Sequence, residues 1–200
     1  MDILSLHLSP RSGGNSEAML AEFTRGAAAA GAEVFKFSVA ERRVEPCRGC
    51  SACETTGQCV IDSDDMNELY PLLSSAKRIV VSTPLFFYDV PALGKALIDR
   101  TQVLWARRYA LKQDPPRPEG RGFLLALGAT RGRDLFVPVT LSIKYFFDAL
   151  GFPKTFESLF FRQVEAKGDL EKRPDDLRLI FEAGLAFGRR ADFEAEAARP

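Results

Sequence analysis

The sequence predicts an α/β protein: a doubly wound parallel sheet of five strands with helices on both faces. Three observations predict it. Short apolar runs alternate with segments of helical period along the chain. The strongest run, within 77–83, has a solid Ile79-Val80-Val81 centre, as a strand buried on both faces has. The runs end in Ser-, Gly- or Pro-containing turns before the next helical segment.

The elements follow in order. Residues 2–8 (DILSLHL) are the first strand. Asn15 or Ser16 caps a helix running to about Ala30, with Met19, Phe23, Ala27 and Ala30 at helical spacing, and Gly31 ends it. Residues 33–39 alternate as a second strand. Residues 45–61 hold Pro, Gly and cysteines without periodicity and read as a loop. Asp65 with Glu68 three residues on is a capping-box pattern for a short helix over 66–74. Strand three, 77–83, stops at Pro84. Pro91 opens a long helix with Leu93, Leu97, Leu104 and Trp105 on one side. DPPRPEG (114–120) is a turn-rich loop, and 121–128 is strand four. A helix follows Pro138 with Val139, Ile143, Phe146 and Leu150, and ends at Gly151-Phe152-Pro153. Residues 154–162 are strand five. A last helix carries Asp175 and Asp176 in its first turn and Arg189 and Arg190 near its end, as the helix dipole favours. Its apolar face is Leu177, Phe181 and Leu185. Crossovers between parallel strands are right-handed. No repeat or linker divides residues 1–200, so one domain is expected.

Composition narrows the function. The 200 residues hold 27 basic and 27 acidic side chains, a formal charge of zero. That excludes binding nucleic acid or a membrane surface by bulk charge. No apolar run approaches the ~20 residues of a membrane span. MDILSLHLS lacks the basic start of a signal peptide, so the cytoplasm is the expected compartment. The single histidine, His7, excludes sites that need two His ligands, and within a strand it reads as a buried, satisfied side chain. No GxSxG elbow accompanies it.

The loop after the first strand, Ser9-Pro10-Arg11-Ser12-Gly13-Gly14-Asn15-Ser16, sits where free backbone N–H groups and the positive end of a helix meet. Its hydroxyls, the Arg11 charge and the Gly13-Gly14 pair suit a phosphate. An ordinary turn and helix cap has the same composition. Neither GxGxxG nor GxxxxGK[ST] occurs. In an open parallel sheet, ligands sit at the carboxyl ends of the strands near the topological switch point. Strand three leads there into Thr83-Pro84-Leu85-Phe86-Phe87-Tyr88-Asp89, whose aromatics suit a flat ring or, alternatively, core filling. Strand four leads into Gly128-Ala129-Thr130-Arg131-Gly132, suited to backbone contacts with a heterocycle.

These three loops, in this order, resemble the NAD(P)H-dependent FMN reductase branch of the flavodoxin-like family, over residues 2–150. The resemblance implies a sheet of order 2-1-3-4-5 and bound FMN. It implies that Ser9, Arg11, Gly14, Asn15 and Ser16 hold the FMN phosphate. Pro84, Leu85, Phe86, Phe87 and Tyr88 would line the isoalloxazine, and Ala129, Thr130 and Gly132 would approach its other edge. Asp99 and Arg100 match a recurrent pair of the family, and their place on a helix points to a structural role. Assembly as a homodimer or homotetramer is a further implication, because one flavin face needs covering.

All four cysteines fall within thirteen residues, as Cys47, Cys50, Cys53 and Cys59, with spacing C-x2-C-x2-C-x5-C. Such crowding points to metal, a cluster or redox chemistry rather than a disulfide framework. Four thiolates this close can wrap one cubane cluster, because each x2 step turns the backbone around a corner. Free thiols, structural zinc, or a Cys47–Cys50 or Cys53–Cys59 disulfide remain open. The segment resembles the compact motif of iron–sulfur flavoproteins, which implies a [4Fe–4S] cluster exchanging electrons with FMN. Arg48 favours anionic sulfur there, whereas Asp62, Asp64 and Asp65 oppose it. Residues 99–134 carry eight basic side chains against four acidic ones, among them Arg107, Arg108, Lys112, Arg117, Arg121, Arg131 and Arg133. They are either a solvated face or an attractor for NAD(P)H phosphates. The expected function is an FMN-dependent oxidoreductase moving electrons from NAD(P)H to a flavin, quinone, protein or iron–sulfur acceptor. A non-enzymatic electron carrier and a thiol-based redox sensor are the alternatives. The end of the chain, DFEAEAARP, reads as a helical tail or subunit contact.

Overall fold

The computed structural model describes residues 1–190. The tail at 192–200 lies outside them. Five strands form one parallel sheet: β1 (Ile3–His7), β2 (Val34–Ser38), β3 (Arg78–Pro84), β4 (Arg121–Gly128) and β5 (Glu157–Arg162). Their order is β2-β1-β3-β4-β5, the flavodoxin-like arrangement. The switch point therefore lies between β1 and β3.

Side chains alternate through the sheet with period two. In β3, Val80 faces the cluster under α1 (Asn15–Ala29) and α7 (Pro174–Arg189), which includes Phe23, Phe123 and Phe187. Ile79 and Val81 face the opposite cluster. That second layer comprises α3 (Met66–Ser75), α4 (Ala92–Arg100), α5 (Gln102–Trp105) and α6 (Val137–Ala149), and α2 (Cys53–Thr56) joins it through Cys53. Two buried apolar layers explain why the strands read as solid rather than alternating runs.

Helices α1 and α7 touch backbone to backbone. A Cβ on Gly26 would lie 2.1 Å from the Phe181 carbonyl oxygen, and one on Gly184 would lie 1.9 Å from the Phe23 carbonyl oxygen. Small residues set this approach, so the buried face of α7 is Ile180, Ala183, Gly184 and Phe187. The expected Leu177–Phe181–Leu185 face is only half-buried.

Other expectations also shift. Gly14, not Asn15 or Ser16, is the N-cap of α1, with no side-chain cap. The capping box at α3 does not form: the Asp65 carboxylate accepts the Arg43 amide at 2.7 Å, and Glu68 pairs with Arg42 at 2.8 Å. The long helix after Pro91 breaks at Thr101 and closes in a π-helical turn over Ala106–Ala110. Leu97 and Leu104 are buried, while Leu93 and Trp105 face outward. The cysteine segment contains one helical turn, α2, closed by Gly57 in the left-handed region.

His7 is fully buried in β1. Its Nδ1 meets Ser38 Oγ and its Nε2 meets Ser16 Oγ, each at 3.1 Å. Burial holds its pKa below the usual value, with Lys36 adding to the effect. Only the unfolded chain therefore takes up the proton just below the ordinary histidine value of about 6.5. The His7 contribution to stability is complete above that pH and is lost progressively as pH falls below it. Urea unfolding of the wild type between pH 7 and 5 is expected to show this decline, and His7→Gln should flatten it.

Candidate functional site

Loops from the carboxyl ends of β1, β3, β4 and β5 meet in a cleft of about 320 Å³. Ser9, Arg11, Gly14, Asn15, Ser16, Pro84, Leu85, Phe86 and Ala129 all line it, as the sequence suggests. The loops are knitted together. The Leu85 amide donates to the Leu127 carbonyl at 2.9 Å, and the Arg11 guanidinium lies 5.6 Å from the Phe86 ring centroid.

The first loop already holds an oxyanion. The Gly13 amide donates to a carboxylate oxygen of Glu17 at 2.6 Å, with Gly13 in the left-handed region at φ +68°. Lys36 pairs with the same carboxylate, and the two interactions hold Glu17 below the usual carboxylate range. No side chain caps α1, and Asn15 and Ser16, whose amides open it, both line the cleft. A phosphate fits this donor set.

Side-chain roles within the loop are narrower than the sequence suggests. Asn15 is committed to the β5–α7 loop: its amide nitrogen donates to the Ala166 carbonyl and its oxygen accepts from Gly168 and Leu170. Ser16 is turned inward to His7. Ser9 Oγ accepts from the Arg11 amide in a local turn. Asn15 and Ser16 can therefore serve an anion through backbone amides, whereas Arg11 lies exposed with its guanidinium over Phe86. Sequence reasoning missed Val164, Glu165 and Lys167, which line the cleft. The Lys167 ammonium lies 3.2 Å from where a Gly13 Cβ would stand. The signal was available: β5 is also a parallel strand, so its carboxyl-end loop must reach the same edge.

The aromatic loop is not core filling. Phe86, Phe87 and Tyr88 are exposed, Phe87 completely so. Phe86 and Asp89 exchange both backbone hydrogen bonds, at 2.9 and 3.1 Å. Phe87 and Tyr88 take φ +50° and +69° between them. This tight turn usually requires Gly or Asn, so two aromatics here are held under strain. Asp89 anchors the turn by accepting from Ser142 on α6 at 2.9 Å. Tyr88 reaches Gly132, its hydroxyl 2.8 Å from where a Cβ would stand. Phe87, Tyr88, Thr130 and Gly132 thus form the rim rather than the lining.

A second, larger cavity of about 860 Å³ lies on the α4–α6 side of the sheet and shares no lining residue with the cleft. Cys47, Cys50, Cys53 and Cys59 all line it. Gly49 and Ser51, at φ +63° and +58°, make the backbone corners that the x2 spacings require. All four thiols are free: Cys47 and Cys50 exposed, Cys59 half-buried, Cys53 buried with its Sγ against the Gln102 carbonyl. Burial pushes the Cys53 thiol up, and the neighbouring Cys47 and Cys59 push it the same way. The donor chemistry suits a cluster. Among the described residues, however, no three His, Cys, Asp or Glu side chains are already converged as a metal-holding group.

Two of the three acidic residues that seemed to oppose anionic sulfur are paired, while Asp62 is exposed. Asp64 is fully buried against Arg100, and Asp65 faces Arg42 and the Arg43 amide. Much of the basic segment is likewise engaged in the fold. Arg117 donates to the Leu73, Ala76 and Leu150 carbonyls, and Arg107 to that of Gly57. Arg131 and Arg133 are exposed, and Arg133 lines a separate groove with Phe136 and Arg162.

The sheet order and the loop cluster at its switch point define a flavodoxin-like cofactor-binding protein. The family model for NADPH-dependent FMN reductases matches residues 1–131, and the chain belongs to that family. An iron-sulfur flavoprotein of Methanosarcina thermophila is 34% identical over 131 residues, 66% of this chain and 65% of the relative. One from Methanocaldococcus jannaschii is 33% identical over 104 residues, 52% of this chain and 53% of the relative. These matches span between half and two thirds of the relatives' lengths. Among solved structures, an NAD(P)H:quinone oxidoreductase from Methanothermobacter marburgensis aligns with TM-score 0.72 and 20% identity, over 94% of this chain and 96% of that one. An FMN-dependent NADH-azoreductase from Bacillus anthracis, in complex with FMN, aligns with TM-score 0.69 and 13% identity, over 94% of this chain and all of that one. At these identities the structural matches establish the fold. Among the described residues no helix is long and apolar enough to cross a membrane.

Proposed function

We propose that the chain is an FMN-dependent oxidoreductase that takes electrons from NAD(P)H and delivers them to a flavin, quinone, protein or iron–sulfur acceptor. The observation that carries this is the cleft in which the 9–16 loop, leading into an α1 with no side-chain cap, meets Pro84, Leu85, Phe86 and Ala129. FMN, when bound, supplies hydride acceptance and onward electron release. The residues do the rest. The amides of the 9–16 loop, with Arg11 and Lys167, take the phosphate. Pro84, Leu85 and Phe86 face the ring, and Phe87, Tyr88, Ala129, Thr130 and Gly132 border it. Arg131 and Arg133 present positive charge to the nucleotide. A second copy of the chain, in a homodimer or homotetramer, would cover the exposed Phe87.

The four cysteines form the second part of the reading. Cys47, Cys50, Cys53 and Cys59 would hold a [4Fe–4S] cluster once the loop closes on it. The competing reading is a thiol pair at Cys47 and Cys50, both of them exposed. Anaerobic purification followed by an absorbance spectrum and iron analysis decides between them, an iron-free yellow protein sinking the cluster. Flavin bleaching on adding NADH or NADPH tests the enzyme reading, and no bleaching with either rejects it. Arg11→Glu is expected to weaken FMN binding by about 10- to 100-fold, measured by quenching of flavin fluorescence. Unchanged affinity would remove Arg11 from the phosphate site.

A further inference from the structure

Arg100 sits at the end of α4 with its side chain fully buried. Its guanidinium donates to four groups. Nη1 and Nη2 fork onto the Asp64 carboxylate at 2.5 and 3.2 Å. Nη1 also reaches the Glu45 carbonyl at 2.9 Å, and Nη2 the Ile61 carbonyl at 3.0 Å. Nε contacts the Tyr70 hydroxyl at 3.3 Å, and that hydroxyl donates back to the Arg100 carbonyl. Asp64 completes the clasp by accepting from the Glu45 amide at 2.8 Å. Glu45 precedes the first cysteine and Ile61 follows the last. Both stems of the cysteine loop are thus fastened to one side chain, with protein groups alone.

We propose that Arg100 is the positioning residue of the cysteine loop, holding its two stems in register in the metal-free chain so that the four sulfurs stay on one cavity. A guanidinium fork bonded to a carboxylate and two carbonyls is geometry that lysine cannot reproduce. Asp99, its neighbour in sequence, pairs with Lys95 at 2.6 Å on the exposed side and takes no part.

The test uses the metal-free full chain under native conditions, with iodoacetamide as probe and mass spectrometry reading each cysteine separately. In the wild type, Cys53 should be protected relative to Cys47. In Arg100→Gln, Cys53 alkylation is expected to rise by about tenfold or more. Arg100→Lys should restore only part of the protection, and Cys47, already exposed, should change little. Asp64→Asn, nearly isosteric, is the second variant, and Arg25→Ala on α1 is the remote control. Circular dichroism and FMN binding confirm that each variant is folded. A folded Arg100→Gln or Asp64→Asn chain whose Cys53 reacts at the wild-type rate overturns the proposal. So does global unfolding of both variants, because Arg100 would then support the whole domain rather than the loop. Iron and sulfide reconstitution adds a readout that rests on the cluster reading, with iron per chain falling in Arg100→Gln while FMN is retained. A wild type that protects Cys53 yet takes up no iron leaves the clasp standing and removes only the cluster.

Discussion

Asp64→Ala is expected to destabilise the folded chain by about 3–5 kcal/mol, because it leaves the Arg100 guanidinium buried and unpaired. Both side chains of this pair are fully inaccessible. The substitution also removes the acceptor of the Glu45 amide, at 2.8 Å, and of the Met66 amide, at 3.2 Å. Replacing both partners with apolar groups of similar volume should cost less than removing one, since no lone charge remains. The pair also gives a pH signature. Burial alone would raise the Asp64 carboxyl, but the Arg100 fork and the Glu45 and Met66 amides outweigh it and hold the group below its usual range. A carboxyl depressed in the folded state contributes stability above its unfolded value, about pH 4, and loses it as pH falls toward the folded value. The gap in unfolding free energy between wild type and Asp64→Asn, measured in urea, should therefore be constant from pH 5 to 7 and shrink below pH 4. A gap that widens on acidification would contradict the assignment.

The second large effect is expected at the crossing of α1 and α7. Gly184→Ala would drive a methyl group to 1.9 Å from the Phe23 carbonyl oxygen, and the obstacle is backbone rather than a side chain that can swing away. Alanine gains about 1 kcal/mol of helix propensity over glycine. That gain is outweighed by the separation of two helices that bury Phe23, Ile180 and Phe187 between them and the sheet. A net loss of about 3 kcal/mol is expected, near the upper end for overpacked cores. At ~2–4 °C per kcal/mol for a chain of this size, the melting temperature should fall by roughly 6–12 °C. Gly168→Ala is the comparison: nothing lies within 4 Å of its Cβ position, and only its φ of +87° opposes the change. That strain is worth about 1 kcal/mol. Equal losses at the two positions would refute the steric argument.

The sheet was legible because burial on both faces leaves a direct imprint: Ile79-Val80-Val81 has no polar position to alternate with. The cleft was legible because parallel strands deliver their loops to one edge, so Ser9–Ser16, Pro84–Tyr88 and Gly128–Gly132 had to meet. What escaped were features set by partners distant in sequence. The use of Asn15 depends on carbonyl and amide groups more than 150 residues away. The face of α7 is chosen by its own Gly184 and by Gly26 of α1, not by its leucines. Asp64 looked like a charge opposing the cysteines until Arg100, 36 residues on, cancelled it. Local pattern also misled at Asp65 and Glu68, which fit a capping box but found arginine partners instead.

Helix α4 has one more consequence. It begins where the strained Phe86–Asp89 turn ends and finishes on Arg100, so it joins the rim of one cavity to the clasp of the other. Its nine residues rise about 13 Å at 1.5 Å each. Such a spacer is intolerant of insertions and deletions. One added residue would advance Arg100 by about 1.5 Å and rotate it by roughly 100°, away from Asp64 and toward the sheet or solvent. Length variation in this protein is therefore expected at 112–116, where the chain is exposed, and not between Pro91 and Thr101.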